Sequence, residues 1–480
     1  LQYVLHELSY DRFHTEADRI YRVVRAPARE NTGDVYRITT SGPLAESMES
    51  IPGVEASARV WPRTCWVSHG ENAFERRMIL ADPDFLRMFN FPVVAGDPRS
   101  LVDQHASMLI SESAARLYFA DQDPIGKTLE VEDNALGGAY TITGVFADPP
   151  TNSTLKFDFL TATKISDRSR GYWERWRTSF GYQVVHTYVK LSDGGDPDGV
   201  KAGLDRIAEQ HIPEDHRHLH QFELQQLTRI HLYSDQDFGL AGFGYGDIDD
   251  VVAIGAVGLF ILVVACVNFV NLRTARATQR AREVGVRKTL GGARRQIAFQ
   301  FLGESILLAL IALVVGIGIA ELMSPVFSEM TGMEVSFAGW ITTYSGIGLI
   351  AGLGILTGGL AGFYPALLLS GLQPVRVLKG SVSGLEGARF RKGLVVFQFA
   401  LSGMLIIACV VIEQQLAFVR GRDVGYEKDH VIVMPLFILE RRQKAQSEGD
   451  LSPVFNRVKR AFVDHPNVLS ASASNWSTLV

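Results

Sequence analysis

Cysteine is scarce in this chain, and that scarcity removes two classes of architecture. The 480 residues hold three cysteines, Cys65, Cys266 and Cys409, too scattered for a disulfide framework or a thiolate metal site. Two of them, Cys266 and Cys409, lie inside apolar runs and read as packing residues. Positive charge is not in excess either. With 47 Lys and Arg against 52 Asp and Glu, the net charge is -5, which argues against nucleic acid as a partner.

Complete catalytic and nucleotide motifs are also lacking. Pro124-Ile125-Gly126-Lys127-Thr128 has the look of the end of a phosphate loop, but Asp121 stands where G-x-x-x-x-G-K-T requires glycine. A helical pattern precedes it and a strand comes after it, the reverse of the required context. No G-x-S-x-G elbow and no H-E-x-x-H occurs. His211, His216, His218 and His220 crowd one segment, which reads as a solvated surface. No metal or cofactor is called for.

Long apolar runs are missing from the first 247 residues and dominate the stretch from 251 to 415. Val251 to Val270 is uncharged and, at about 1.5 Å per helical residue, matches a hydrocarbon layer of about 30 Å. Directly after it come Arg273, Arg276, Arg280, Arg282, Arg287, Lys288, Arg294 and Arg295, opposed only by Glu283. That asymmetry places this end in the cytoplasm. A second basic loop holds Arg376, Lys379, Arg389, Arg391 and Lys392, whereas 324–339 holds Glu329 and Glu334 and no cation. The expected spans are 248–274, 299–323, 341–370 and 393–415, running alternately inward and outward. Between them lie a cytoplasmic coupling loop or helix at 275–298, an outer loop at 324–340 and a second cytoplasmic loop at 371–392, and 416–480 returns outside.

Residues 1–247 alternate short β-rich runs with amphipathic helical patterns. The strands begin at Tyr21, Val54, Ser107, Tyr140 and Val184, and helices start near Pro43, Ser111 and Asp198. This interleaving predicts an α+β domain outside the membrane. The chain starts at Leu1 with no apolar segment ahead of that domain and stops inside LSASASNWSTLV, so it reads as a segment of a longer protein.

Three features within the apolar half carry functional expectations. Gly354, Gly358 and Gly362 recur every four residues, a spacing that lets a neighbouring helix approach closely. Glu304 is the one acid inside the second run, expected to pair with nearby cations at the interface. From Ala281 the text reads AREVGVRKTLGGARRQ, where Val284, Val286 and Leu290 are interleaved with Arg282, Arg287 and Lys288 before Gly291-Gly292. Apolar anchors among charges, ended by a helix breaker, predict a short cytoplasmic helix that docks on a partner.

These same residues, NFVNLRTARATQRAREVGVRKTLGGARRQIAFQFLGESILL from Asn268, resemble the MacB/FtsX-like family of ABC transporter permeases. LAGFYPALLLSGLQPVRVLKG from Leu360, RKGLVVFQFALSGMLIIACVVIEQQL from Arg391, ELSYDRFHTEADRIYRV from Glu7 and DPIGKTLEV from Asp123 are similar to further signatures of that family. The resemblance implies a helical transmembrane bundle carrying an extracytoplasmic α+β domain of the MacB periplasmic core type, in the cytoplasmic (inner) membrane. It implies a non-catalytic subunit served by a separate cytoplasmic ABC ATPase that docks at Arg282, Glu283, Val284, Val286, Arg287, Lys288, Leu290, Arg294 and Arg295. In the long, duplicated form of the family, 416–480 corresponds to the start of a second outer domain. Other partners it implies are membrane lipid, a periplasmic adaptor and a second permease copy. The activity implied is export or extraction of a peptide, lipoprotein or drug; the alternative is an FtsX-like regulator that activates a cell-wall hydrolase without transport.

Overall fold

The computed structural model describes residues 2–25, 36–97, 99, 106–133, 137–162, 176–214, 221–238, 245–331, 343–371, 385–422, 431–432 and 452–472. His216, His218 and His220, residues 332–340, most of the loop expected at 371–392 and much of 416–480 lie outside them.

Among the described residues, eleven strands form one mixed sheet. In chain order they are β1 Ile20–Arg25, β2 Thr40–Ser41, β3 Val54–His69, β4 Asn72–Ala81, β5 Val93–Gly96, β6 Ser107–Ser111, β7 Thr128–Glu132, β8 Gly138–Phe146, β9 Phe159–Ala162, β10 Gln183–Leu191 and β11 Phe222–Gln226. Pairing runs from β3 to β4, β9, β6, β8 and β7, and β7 returns to β3, so these strands close a ring. Closure removes the free edges that such strands would otherwise expose. The ring's interior is filled by residues two apart on five of its six strands, as the period of a β-strand requires: Cys65 and Val67, Met78 and Leu80, Met108 and Ile110, Leu129 and Val131, Tyr140 and Ile142, with Phe159 from β9.

The Asp123 motif makes this closure. Gly126 has φ +79°, open to glycine at little cost, and its N–H donates to the Ile142 carbonyl at 2.8 Å, turning the chain straight into β7. Lys127 Nζ donates to Gln122 Oε1 at 2.7 Å, and a strand comes next where a phosphate loop needs a helix.

Beyond β3 the sheet continues through β10 and β1 to β11. Helices α1 Gln2–Leu8, α2 Leu44–Met48, α3 Phe85–Met88, α4 Glu112–Phe119, α5 Pro197–His211 and α6 Leu227–Phe238 accompany it. α2 and α5 cover one face with Leu44, Met48, Val200, Leu204 and Ile207 against Val189 and Leu191. α5 starts where its sequence says it must, with the Asp196 carboxylate accepting the N–H groups of Asp198 and Gly199 and Pro197 at the first turn. His211 ends this helix with its ring stacked on Phe180.

The apolar half is helical: α7 Ile248–Thr289, α8 Arg294–Thr331, α9 Tyr344–Gly371 and α10 Leu385–Gly421, with α11 Ser452–Val463 after them. Among the described residues, four helical segments are long and apolar enough to cross a membrane, namely Ile248–Arg276, Arg294–Glu329, Gly346–Leu367 and Lys392–Gly421. The sequence expects a span at 248–274 and then a separate coupling element. Instead α7 is one helix of 42 residues, about 63 Å long, roughly twice the thickness of a hydrocarbon layer. Nothing between Arg273 and Thr289 breaks it, because the cationic stretch holds neither proline nor any glycine besides Gly285.

Glycines set how closely α8 and α9 pack. A Cβ added at Gly358 would lie 2.6 Å from Ile306 Cα, and one at Gly362 would lie 2.5 Å from Ser305 Cβ. One at Gly354 would meet Leu310 Cδ2, the end of a flexible side chain, at 2.6 Å. Gly348 and Gly352 share the four-residue spacing but face nothing within 4 Å. Contact, not spacing, separates the two sets.

Candidate coupling site

The turn between α7 and α8 is built by two local devices. Gly291, at φ +95°, comes after Leu290 at the end of α7; its N–H donates to the Lys288 carbonyl at 3.1 Å, and the Gly292 N–H donates to the Arg287 carbonyl at 2.9 Å. This pair of bonds satisfies carbonyls that a helix end leaves open, and it needs a left-handed residue at the first position. On the far side the Gln296 side chain accepts the Ala293 N–H at 3.2 Å, capping α8 from its own first turn. The sequence thus dictates an abrupt reversal with no loop to spare.

Charge pairs then tie the two helices together. Glu304 of α8 accepts from Arg280 at 2.7 Å and from Arg273 at 3.4 Å, both on α7. One turn along, Arg287 donates to Gln300 Oε1 at 2.8 Å and to Glu283 at 2.7 Å. Lys288 reaches further, donating to the Ser370 carbonyl at the end of α9 at 2.6 Å. Burial and the neighbouring Arg294 guanidinium push its ammonium below the usual lysine range.

The apolar residues of the turn divide. Val284 is 1% exposed and packs with Ile297, Phe301 and Ala366, so it is a core contact among α7, α8 and α9. Val286 is 49% exposed and Leu290 82% exposed. The expectation that all three anchor a partner therefore fails for Val284. The signal was in the spacing: at about 100° per residue, Val286 and Leu290 share a helix face and Val284 points almost opposite. Arg294 and Arg295 are exposed beside the turn, with Arg295 over the Phe299 ring, while the Arg282 side chain lies outside the described residues.

An exposed apolar pair, Val286 and Leu290, thus sits beside cations on a sharp turn tied to α8 and α9. No cluster able to hold a metal occurs among the described residues.

The MacB-like periplasmic core domain matches residues 3–207, and the FtsX-like permease C-terminal domain matches residues 255–374. The chain belongs to the MacB/FtsX-like ABC transporter permeases. Within that family it is similar to an uncharacterized ABC transporter permease, YknZ, of Bacillus subtilis (strain 168), with 25% identity over 56% of this chain and 61% of the relative. It is also similar to the macrolide export ATP-binding/permease protein MacB of Neisseria meningitidis serogroup A, with 26% identity over 59% of this chain and 39% of the relative. The chain thus spans less than two thirds of the length of these relatives. A solved domain of a protein named as a permease, from Porphyromonas gingivalis, covers 45% of this chain and 90% of its own at 27% identity and a TM-score of 0.38.

For a permease of this family, the turn after Thr289 falls inside the FtsX-like match and the ring of strands inside the core-domain match. Two contacts stand outside the sequence expectations, the Lys288 tie to Ser370 and the Arg287 tie to Gln300. Neither has a local signal, since each joins segments that only the fold brings together.

Proposed function

We propose that this permease subunit couples ATP hydrolysis by a separate cytoplasmic ABC ATPase to movement of its outer domain, for export or extraction of a peptide, lipoprotein or drug at the cytoplasmic membrane. The exposure of Val286 and Leu290 on a turn braced by Lys288, Arg287 and Glu304 carries this reading. A docking contact seated on a loose loop would absorb a push, whereas one tied to α7, α8 and α9 passes it on. Packing of α8 on α9 through Gly358 and Gly362 makes those two helices move as one body. The MacB relative is named as an ATP-binding/permease protein, which supports an ATPase as the partner.

The test is co-purification of the permease with its ATPase, and coupled ATP turnover, for the Val286→Ala/Leu290→Ala pair. Truncating apolar anchors commonly costs about 2 kcal/mol or more of binding, so association should fall by roughly thirtyfold. Normal association and normal turnover in this pair would remove the turn from the mechanism.

A further inference from the structure

Two residues just ahead of α7, Tyr245 and Gly246, are gripped from opposite sides. Glu7 of α1 and His231 of α6 form a buried pair, Oε2 to Nε2 2.7 Å, and the Tyr10 ring lies flat on the imidazole with centroids 3.4 Å apart. Gly246 is pressed on that pair: a Cβ there would sit 2.9 Å from His231 Nε2 and 3.0 Å from Glu7 Oε2. Its neighbour Tyr245 is held from the sheet, where Arg22 of β1, 1% exposed, donates to the Tyr245 hydroxyl at 2.6 Å and lies over its ring. The same guanidinium donates to Gln225 Oε1 of β11 at 2.5 Å and to Ser234 Oγ of α6 at 3.3 Å. Farther along, Val4 of α1 flanks the first turns of α7, 3.7 Å from where a Cβ would stand on Gly255.

A linker that lets two parts swing freely is exposed and makes few contacts. Burying a carboxylate–imidazole pair and a guanidinium costs free energy that a free hinge has no use for. We propose that Glu7, Tyr10, Arg22 and His231 are positioning residues that form a rigid coupling around Tyr245 and Gly246, so that tilting or turning of α7 moves α1, α6 and β1 with it and reaches the sheet without slack. This rests on the reading that the permease works by transmitted motion, and it assigns the outer end of the transmission.

The experiment uses the full chain in membranes with Cys65→Ala, Cys266→Ala and Cys409→Ala, and no ATPase or nucleotide, so its outcome is independent of docking at Leu290. Spin labels at Glu71→Cys, at the tip of the β3–β4 hairpin, and Val252→Cys, on α7, report the distance across the joint by pulsed electron paramagnetic resonance. Glu71→Cys with Glu209→Cys reports the domain alone. A rigid joint gives a single narrow distance for the first pair, as narrow as the second, and Glu7→Ala with Arg22→Met loses it while the second pair stays narrow. Glu7→Gln, which keeps the shape and a hydrogen bond, retains it. A broad distribution in the unaltered joint overturns the proposal, as does an unchanged narrow one in the Glu7→Ala/Arg22→Met variant. Should that variant broaden both pairs, Gly246→Ala decides, because it forces the lead-in off the pair without touching the sheet: a distance still narrow and unshifted there overturns the proposal too.

Discussion

Lys288 caps a helix to which it does not belong. Its ammonium, on the last turn of α7, donates at 2.6 Å to the Ser370 carbonyl, which lies in the last turn of α9. A cation at a helix C-terminus meets both an open carbonyl and the negative end of the helix dipole. The turn between α7 and α8 is thereby tied to the end of α9.

Replacing Lys288 with Met keeps the stem and removes the donor. The loss is about 1 kcal/mol. Hydrogen exchange of amides 286–292 should quicken and coupled ATP turnover should drop, while ATPase co-purification stays within about twofold of wild type. Loss of co-purification would instead place Lys288 in the docking surface itself.

Glycine substitutions on α9 should rank by what they strike. Gly358→Ala drives a methyl at the Ile306 backbone and should cost about 1 to 3 kcal/mol, seen as a lower melting temperature of the detergent-solubilised chain. Gly354→Ala meets only the end of Leu310 and should cost less. Gly359→Ala, with nothing within 4 Å, should be neutral or slightly stabilising. An equal loss at all three positions would mean that α8 and α9 do not meet along this face.

At Gly291 the space for a side chain is open, so only the backbone resists substitution. Gly291→Ala should cost about 1 kcal/mol through its left-handed φ, and Gly291→Asn less. Circular dichroism will hardly register this; exchange of the Gly291 and Gly292 amides will.

Acid should loosen the outer domain through His14. Burial pushes its imidazole from 6.5 down to about 4, and Nδ1 accepts the Asn90 N–H at 3.0 Å, which requires the neutral ring. A folded pKa below the unfolded one means that the unfolded chain binds the proton first. His14 therefore contributes its full stability above about pH 6.5 and loses it progressively as the pH falls to about 4, a change of up to about 3 kcal/mol. Trp61 and Trp176, buried in the ring of strands, report unfolding by fluorescence. The urea midpoint should fall between about pH 7 and about pH 4.5, and His14→Gln should flatten that slope. A slope unchanged by the substitution would assign the acid sensitivity to other groups.

Orientation is checked from outside the cell. Membrane-impermeant thiol reagent on intact cells should modify Glu71→Cys and spare Leu290→Cys, both exposed positions. The reverse pattern would invert every assignment of side made from the basic loops.

Much of this was legible because it is written in neighbouring residues. Short strands beginning near Tyr21, Val54, Ser107, Tyr140 and Val184 announce themselves by period and composition, and β1, β3, β6, β8 and β10 stand there. The break at Gly291-Gly292 is equally local, since a helix end needs only a residue that tolerates positive φ. β9, with four residues, is too short to be read alone; it becomes a strand because β4 and β6 offer it edges.

What the sequence determined by itself is whatever depends on contiguous chemistry: which segments leave water for a membrane, where helices must stop, and which glycines recur on one face. Transfer free energy and backbone conformation are properties of a short stretch, so a stretch suffices to reveal them. Only the tertiary structure decided which way those faces turn. It put Val284 among Ile297, Phe301 and Ala366 while leaving Leu290 bare, joined Lys288 to Ser370, and set Glu7 against His231 across most of the outer domain. Such pairings have no local signature, because a carboxylate or an ammonium is satisfied by whichever partner the fold delivers within about 3 Å.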